Sequence, residues 1–521
     1  MCPFKVFKIL IKEKIMNKAG CVVIGLIVTV IALILLAPTH TMSAILLDML
    51  YVHPFSWTLL VIGLAFAVVG IMKADDEVAW PWFVAILVGV LWIGWLIIQK
   101  PLMYAELYKN TVYEVDSDLV EQSSIRDIPY TVASTNFTNT NPDSKTGPGD
   151  LDFVNGKWIA SVNPTNIWNK FSMPTQGFFQ FDPSSADEVV KIVQQMPYAE
   201  GGFFGNSETF YVRSKDYFSE FSEILYVQDP ENKEVFAIVS LMKRAGFSRY
   251  PYVSSVMIIH GDGNYENLTI KEAEADPRLK GIALKPEWLM EQEVIAYGYR
   301  YGVGVIFSRD GRIELQSSNV NDENKPPFHI ETKNGNYWYT PYSPLVSKGL
   351  KGIAMSASHD IDGPVYIWQL PANQAYGGAD FMTSLIEGSP AHRDYAWYRQ
   401  TGETKCGNIT VLEMVPVIRE EPNGNKLYFL GYVSTAPNSV EVLFYSIVDP
   451  ESQVVYEDMT TPAEVNSWLR GDFELKPQTE TDQIEISTTG VCSIEDIGSQ
   501  LTEDLIKMID NILAELERRI K

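Results

Sequence analysis

The first hundred residues alternate between long apolar runs and short polar breaks, a pattern found nowhere else in the chain. Three runs, about 20–37, 56–72 and 78–98, carry no ionisable side chain. A bilayer core about 30 Å thick takes about 20 helical residues, so each run reads as a transmembrane helix. Beyond residue 100 the period shortens. Stretches such as EILYVQDPENKEVFAIVSL, VSSVMIIHGDGNYENLTI and YGVGVIFSRDGRIELQSS place turn-forming clusters between β-rich runs, the pattern of antiparallel strand pairs. Helical signals return at Ser184 to Met196, at Lys285 to Tyr301 and near Ala379 to Ile386. The tail from Ser493 carries Ile497, Leu501, Leu505, Met508, Ile512 and Leu516 at mixed spacings of three and four, an amphipathic or coiled-coil stripe.

The expected fold class is therefore a membrane-anchored α+β protein: three N-terminal transmembrane helices, then β-rich antiparallel α+β domains and a C-terminal amphipathic helix. Its divisions fall at a basic N-terminus (1–19), the membrane helices (20–98), a stalk (99–122), a first β-rich domain (123–330), a second (331–475), an acidic linker (476–492) and the terminal helix (493–521). The tail helix, freed by its linker, predicts a homo-oligomer.

Charge adds an orientation. Lys5, Lys8, Lys12, Lys14 and Lys18 precede the first run, whereas Pro38 to Phe55 contains no Lys or Arg. That bias places the N-terminus in the cytoplasm. An odd number of crossings then puts the C-terminal domain outside a multi-pass cell-membrane protein. The whole chain has 41 Lys plus Arg against 65 Asp plus Glu, and all of the excess lies beyond residue 100. So acidic a surface repels nucleic acid. The expected partners are membrane lipid, further copies of the chain and a protein ligand.

Two hairpins repeat one pattern. VQDPENKEVF at 227–236 and IVDPESQVVY at 447–456 both read apolar, x, Asp-Pro-Glu, two polar residues, x, Val, aromatic. With the strand-turn-strand units around them, these segments resemble PepSY-like modules, in which a small antiparallel sheet packs on a helix in a cystatin-like way. The Thr-Gly usual in that turn is replaced by Asn232-Lys233 and Ser452-Gln453. The resemblance implies a binding, inhibitory or assembly module outside the membrane, and no functional residue is carried over from it.

Catalytic motifs are missing from the sequence: it has no GxSxG elbow, no P-loop and no HExxH. No catalytic residue and no cofactor is assigned. Two polar turns gather groups that bind metals. His359, Asp360 and Asp362 fall in one; Asp262, Asn264 and Glu266 fall in the other, which imitates the start of a calcium loop but has Asn267 and Ala273 where Gly and a bidentate Glu belong. Calcium is the ion such oxygens would take, and a solvated turn is the plainer explanation of both. Cys406 and Cys492 either pair or remain free thiols. Three sequons, at Asn136, Asn267 and Asn408, would be used only on an exported face. Trp158, Trp168, Trp288, Trp338, Trp368, Trp397 and Trp468 either pack in cores or line a groove. The sequence thus points first to a binding, scaffold or assembly component of the membrane. Its alternatives are a surface hydrolase or transferase using scattered carboxylates that spacing cannot reveal, and a sensor or transporter accessory.

Overall fold

The computed structural model describes residues 51–479 apart from 52, 73–79, 142–144, 155, 182–188, 230–231, 309–310, 317–325, 348, 372–373, 402–403 and 437–440. It opens on two apolar helices, α1 (Pro54–Met72) and α2 (Trp80–Asn110). They run antiparallel: Ser56 Oγ donates to Gln99 Oε1 at 3.2 Å, Gly63 faces Val88, and the Phe66 and Trp80 rings lie 5.8 Å apart.

The expectation of three N-terminal transmembrane helices is corrected here. Among the described residues one helix, α2, is long and apolar enough to cross a membrane, judged by length and composition alone. The second run yields α1, whose apolar part, Pro54–Val69, is the shorter of the two. The first run, 20–37, lies outside the described residues, as do the acidic linker from residue 480 and the tail helix at 493–521.

The rest of the described chain is β-rich, and it is layered. After α3 (Tyr130–Thr140), sheet I runs as a meander through Thr146–Val154, Lys157–Pro164, Phe178–Phe181 and Val189–Ile192. Sheet II follows through Leu225–Gln228, Val235–Ala245, Tyr250–Ile259 and Tyr265–Leu268. Then comes α4 (Glu287–Tyr297), ahead of sheet III: Ile313–Leu315, Phe328–Thr332, Gly335–Pro344, Gly352–Ala357 and Val365–Gln369, with Tyr113–Val115 added in parallel to the last strand. Helix α5 (Ala379–Glu387) precedes sheet IV: Ile409–Glu421, Gly424–Thr435, Val442–Asp449 and Val454–Val455. Helix α6 (Pro462–Leu469) closes the fold.

Strand VFAIVSLMKRA shows why the layers form. Val235, Ala237, Val239 and Leu241 point to sheet I, joining Ile159 and Phe178, while Phe236 and Ile238 point to the opposite side with Leu284 and Leu289. A strand buried on both faces needs a near-continuous apolar run, which this one supplies. Sheet III divides the same way: Trp338, Tyr342, Ala354 and Ile367 face α4 residues Met290, Val294 and Tyr297, whereas Tyr339, Ile353 and Met355 face the sheet IV core. The stack is α3, sheet I, sheet II, α4, sheet III, sheet IV. Each large side chain fully buried in it contributes about 1.5–3 kcal/mol of transfer free energy.

The two Asp-Pro-Glu hairpins share a local geometry but not a position. Lys233 N–H donates to Asp229 O and Gln453 N–H to Asp449 O, and Lys233 and Gln453 both take the left-handed conformation, at φ 65° and 60°. One hairpin joins the first two strands of sheet II and the other the last two of sheet IV. Residues Ser184 to Met196, which the sequence assigns to helix, contain instead the edge strand Val189–Ile192, paired with Phe178–Phe181. Its β-branched residues fit a pleated edge.

Candidate functional site

Where the I–II and III–IV layers meet, two adjoining cavities of about 510 and 310 Å³ share Arg126, Phe153, Gly281, Phe328 and His329. Together they form a central cleft. Its walls come from separated elements, among them the Thr146–Val154 strand of sheet I, the 122–127 segment, the segment carrying Glu223, the start of α4 and the Phe328–Thr332 strand.

At one end Arg126 reaches in over Trp158, 5.2 Å from the ring centroid. Its charge is met by buried Glu413, whose other oxygen accepts the Tyr130 N–H at 2.7 Å. His329 lies tilted against Trp338, their ring centroids 5.0 Å apart, and bonds the Ser358 hydroxyl at 3.1 Å. Burial, helped by the Arg126 charge, pulls its imidazole down to about 4, so at neutral pH the ring carries no charge.

The other end is acidic. Asp152, Glu223 and Glu287 line the smaller cavity, and among the described residues none of the three is in a salt bridge. One Asp152 oxygen has no hydrogen-bond partner. Burial, with Glu223, Glu200 and Asp150 nearby, drives Asp152 well above the ordinary carboxylate range. Glu223 also rises through burial, although it accepts the Glu287 N–H at 3.1 Å and so caps the first turn of α4. Burial and then the Glu223 and Glu291 charges push Glu287 up to about 8. An unpaired carboxylate in a half-dry cavity either keeps a proton or takes a cation.

The two metal-candidate turns lie elsewhere. His359 directs Nδ1 at the Ile282 carbonyl and Nε2 at the Glu274 carbonyl, both at 3.1 Å, so backbone oxygens occupy both ring nitrogens. Asp360 lies against the backbone of Gly363 in its own turn, and Asp362 acts on buried Glu293 through its charge. Asp262 accepts the Asn264 N–H at 2.9 Å and closes its turn. Glu266 pairs with Arg278 at 2.8 Å and with His260 at 2.9 Å, and these bonds hold its carboxyl down to about 2. Among the described residues no group of three His, Cys, Asp or Glu side chains is disposed to hold a metal.

Ser389 and His392, neighbours in sequence, do not meet as a catalytic pair. His392 Nε2 lies 2.6 Å from Asp458 and Nδ1 lies 2.7 Å from the Ile386 carbonyl, in a fully buried setting walled by Tyr395, Trp397 and Phe444. Of the seven tryptophans beyond the membrane-like helices, Trp158 and Trp338 line the cleft, while Trp168 is 77 % exposed and Trp468 is core. The cleft carboxylates carried no sequence signal, because Asp152, Glu223 and Glu287 come from three distant segments that only the layering brings together.

No family model matches the chain, and no curated protein does. Among solved structures the chain is similar to a GH43 beta 1,3 galactosidase with galactodeoxynojirimycin, at 13 % identity and a TM-score of 0.19, covering 65 % of this chain and 89 % of that one. A score that low establishes neither a shared fold nor a shared activity.

Proposed function

We propose that this is a membrane-anchored binding protein whose β-rich body takes up a ligand bearing a cationic amine in its central cleft. The observation that carries the reading is the cavity end where Asp152, Glu223 and Glu287 converge without a salt bridge among the described residues. Phe153, Trp158, Phe328 and Trp338 supply the apolar and aromatic walls that such a ligand needs. Anchoring rests on α2 and on the lysine-rich start, with the body on the side away from the cytoplasm. Self-association through residues 493–521 belongs to the same proposal, and loss of that segment should reduce the particle size measured in mild detergent.

A hydrolase is the second reading, favoured by Glu287, whose carboxyl at about 8 would suit a general acid. Acid–base catalysis by two carboxylates, however, needs environments that push their pKa values apart. Here Asp152, Glu223 and Glu287 are all pushed the same way, which favours binding.

The test uses the full chain in detergent with 1,5-diaminopentane and its uncharged isostere pentane-1,5-diol. The diamine should raise the melting temperature and the diol should not. Asp152→Asn/Glu287→Gln should abolish the rise, whereas the exposed control Glu441→Gln/Glu451→Gln should keep it. Equal responses to diamine and diol, or a rise that survives in the cleft variant, would overturn the proposal.

A further inference from the structure

A third cavity, of about 370 Å³, opens where α1 and α2 meet the tip of the sheet II hairpin between Val235–Ala245 and Tyr250–Ile259. Leu60, Trp92 and Leu96 form its apolar wall, and Lys100, Arg244, Ser248 and Arg249 form its rim. Rim and wall differ sharply in character, in a chain whose overall charge is strongly negative.

The hairpin tip is built for an apolar medium. Phe247 is 71 % exposed, yet its ring stands 5.5 Å from Trp95 and 6.4 Å from Phe55. Trp95 precedes Lys100 by five helical positions, about 7–8 Å along the axis, so the tip reaches past Lys100, the first charge of α2, toward its apolar N-terminal part. A second loop follows it, with Tyr217 and Phe218 both exposed and Phe218 set 5.6 Å from Tyr51. Exposed aromatic rings beside a bilayer-length helix mark a membrane contact.

The rim cations are not equivalent. Arg244 is neutralised by Glu220, at 2.7 Å from Nη2. Arg249 donates from Nε to the Tyr51 carbonyl at 2.8 Å and lies over the Tyr51 ring at 4.4 Å, with no carboxylate in a salt bridge among the described residues. Lys100 is exposed and likewise has no ion-pair partner among them. Glu106 is the other nearby anion, and it is occupied by the Ser248 N–H at 2.9 Å and the Ser248 hydroxyl. Two cations without counter-ions therefore stand above an apolar wall that continues onto the exposed face of α2.

We propose that this junction binds one anionic phospholipid, its phosphate between Lys100 and Arg249 and its acyl chains along Leu60, Trp92 and Leu96. The inference rests on α2 being a membrane helix. A free phosphate would leave the apolar wall uncovered, so the cavity is assigned to a lipid.

The test extracts full-length protein from membranes of equimolar phosphatidylcholine and phosphatidylglycerol into polymer discs and measures the lipid retained. Wild type should be enriched in phosphatidylglycerol over the bulk. Lys100→Gln should weaken that preference about fivefold, the worth of one cation near an anionic surface, and Lys100→Gln/Arg249→Gln should return the ratio to bulk. The single variant leaves the Arg249 contacts with Tyr51 in place, so it reports on lipid even where the double variant folds poorly. Alkaline carbonate extraction separates the two claims. If the chain washes off the membrane, the reading of α2 falls and this inference with it; if it stays and the lipid ratio is unchanged by Lys100→Gln, the lipid site alone is overturned.

Discussion

Two of the three glutamates on helix α4, Glu287 and Glu293, meet opposite fates. Glu293, in its second half, is buried beside Lys285, whose Nζ is fully enclosed and reaches Glu293 at 3.2 Å, Ser356 Oγ at 3.0 Å and the Gly363 carbonyl at 3.3 Å. Glu287, at the first position of the same helix, lines the cleft with no salt-bridge partner among the described residues. Both are raised by burial, but in Glu293 the Lys285 charge and hydrogen bond oppose that rise, whereas in Glu287 the neighbouring Glu223 and Glu291 add to it. The same helix thus uses one carboxylate to lock sheet III against itself and leaves the other exposed to whatever enters the cavity. Paired burial serves the fold, and unpaired burial reserves a place for a cation.

The contrast breaks most visibly at the lock. Lys285→Met removes the ammonium and strands Glu293 in the core, a loss of about 3–5 kcal/mol that urea unfolding should register. Next in size is the cleft. A carboxyl whose folded pKa lies above its unfolded value contributes stability in full below the unfolded pKa and loses it as pH rises through the folded one. With Glu287 at about 8 and Glu200 at about 7, the melting temperature should fall between about pH 4.5 and 8. Glu287→Gln should flatten that fall and, at pH 8, raise the midpoint by about 2–4 °C, an effect discounted for the partial exposure of the site. His329 has the opposite sign. Its pKa is lowered to about 4, so its contribution is present above about pH 6.5 and is lost as pH drops toward 4; His329→Gln should remove that acid-side decline in a thermal scan. Smallest is Lys333→Gln, which breaks exposed pairs with Glu121 and Glu420 and should change stability by less than about 1 kcal/mol.

The legible part of this molecule was what depends on neighbours in sequence. Turn clusters such as Asp-Pro-Glu announced the sheet II and sheet IV hairpins, and Pro286 followed by EWLMEQEVIAY announced α4. The helical signal of Ser184 to Met196 misled over its described part, because strand pairing with Phe178–Phe181 decided Val189–Ile192. Apolar run length also misled. It recorded that 56–72 lacks charge, but three full spans do not follow, since among the described residues one helix, α2, is long and apolar enough to cross a membrane. The stalk segment likewise gave no hint that α2 continues through Pro101 to Asn110 and buries Met103, Tyr104 and Leu107 against Ala296 and Tyr299. The cleft was invisible for a different reason. Asp152, Glu223 and Glu287 sit on three segments, and their meeting depends on the order in which sheets I, II and III stack. Of the residues that looked like ligands in the sequence, His359 ties its loop to the distant Ile282 and Glu274 carbonyls, and Asp262 closes its own turn.

Unpaired cleft carboxylates that hold protons should give them up to an arriving cation. Calorimetric titration of the full chain with 1,5-diaminopentane at pH 7, in two buffers of different ionisation enthalpy, measures that displacement directly. About one proton should be released per diamine bound, because a carboxyl with a pKa of about 8 is mostly protonated at that pH. Binding without any proton release, or release undiminished in Asp152→Asn/Glu287→Gln, would contradict it.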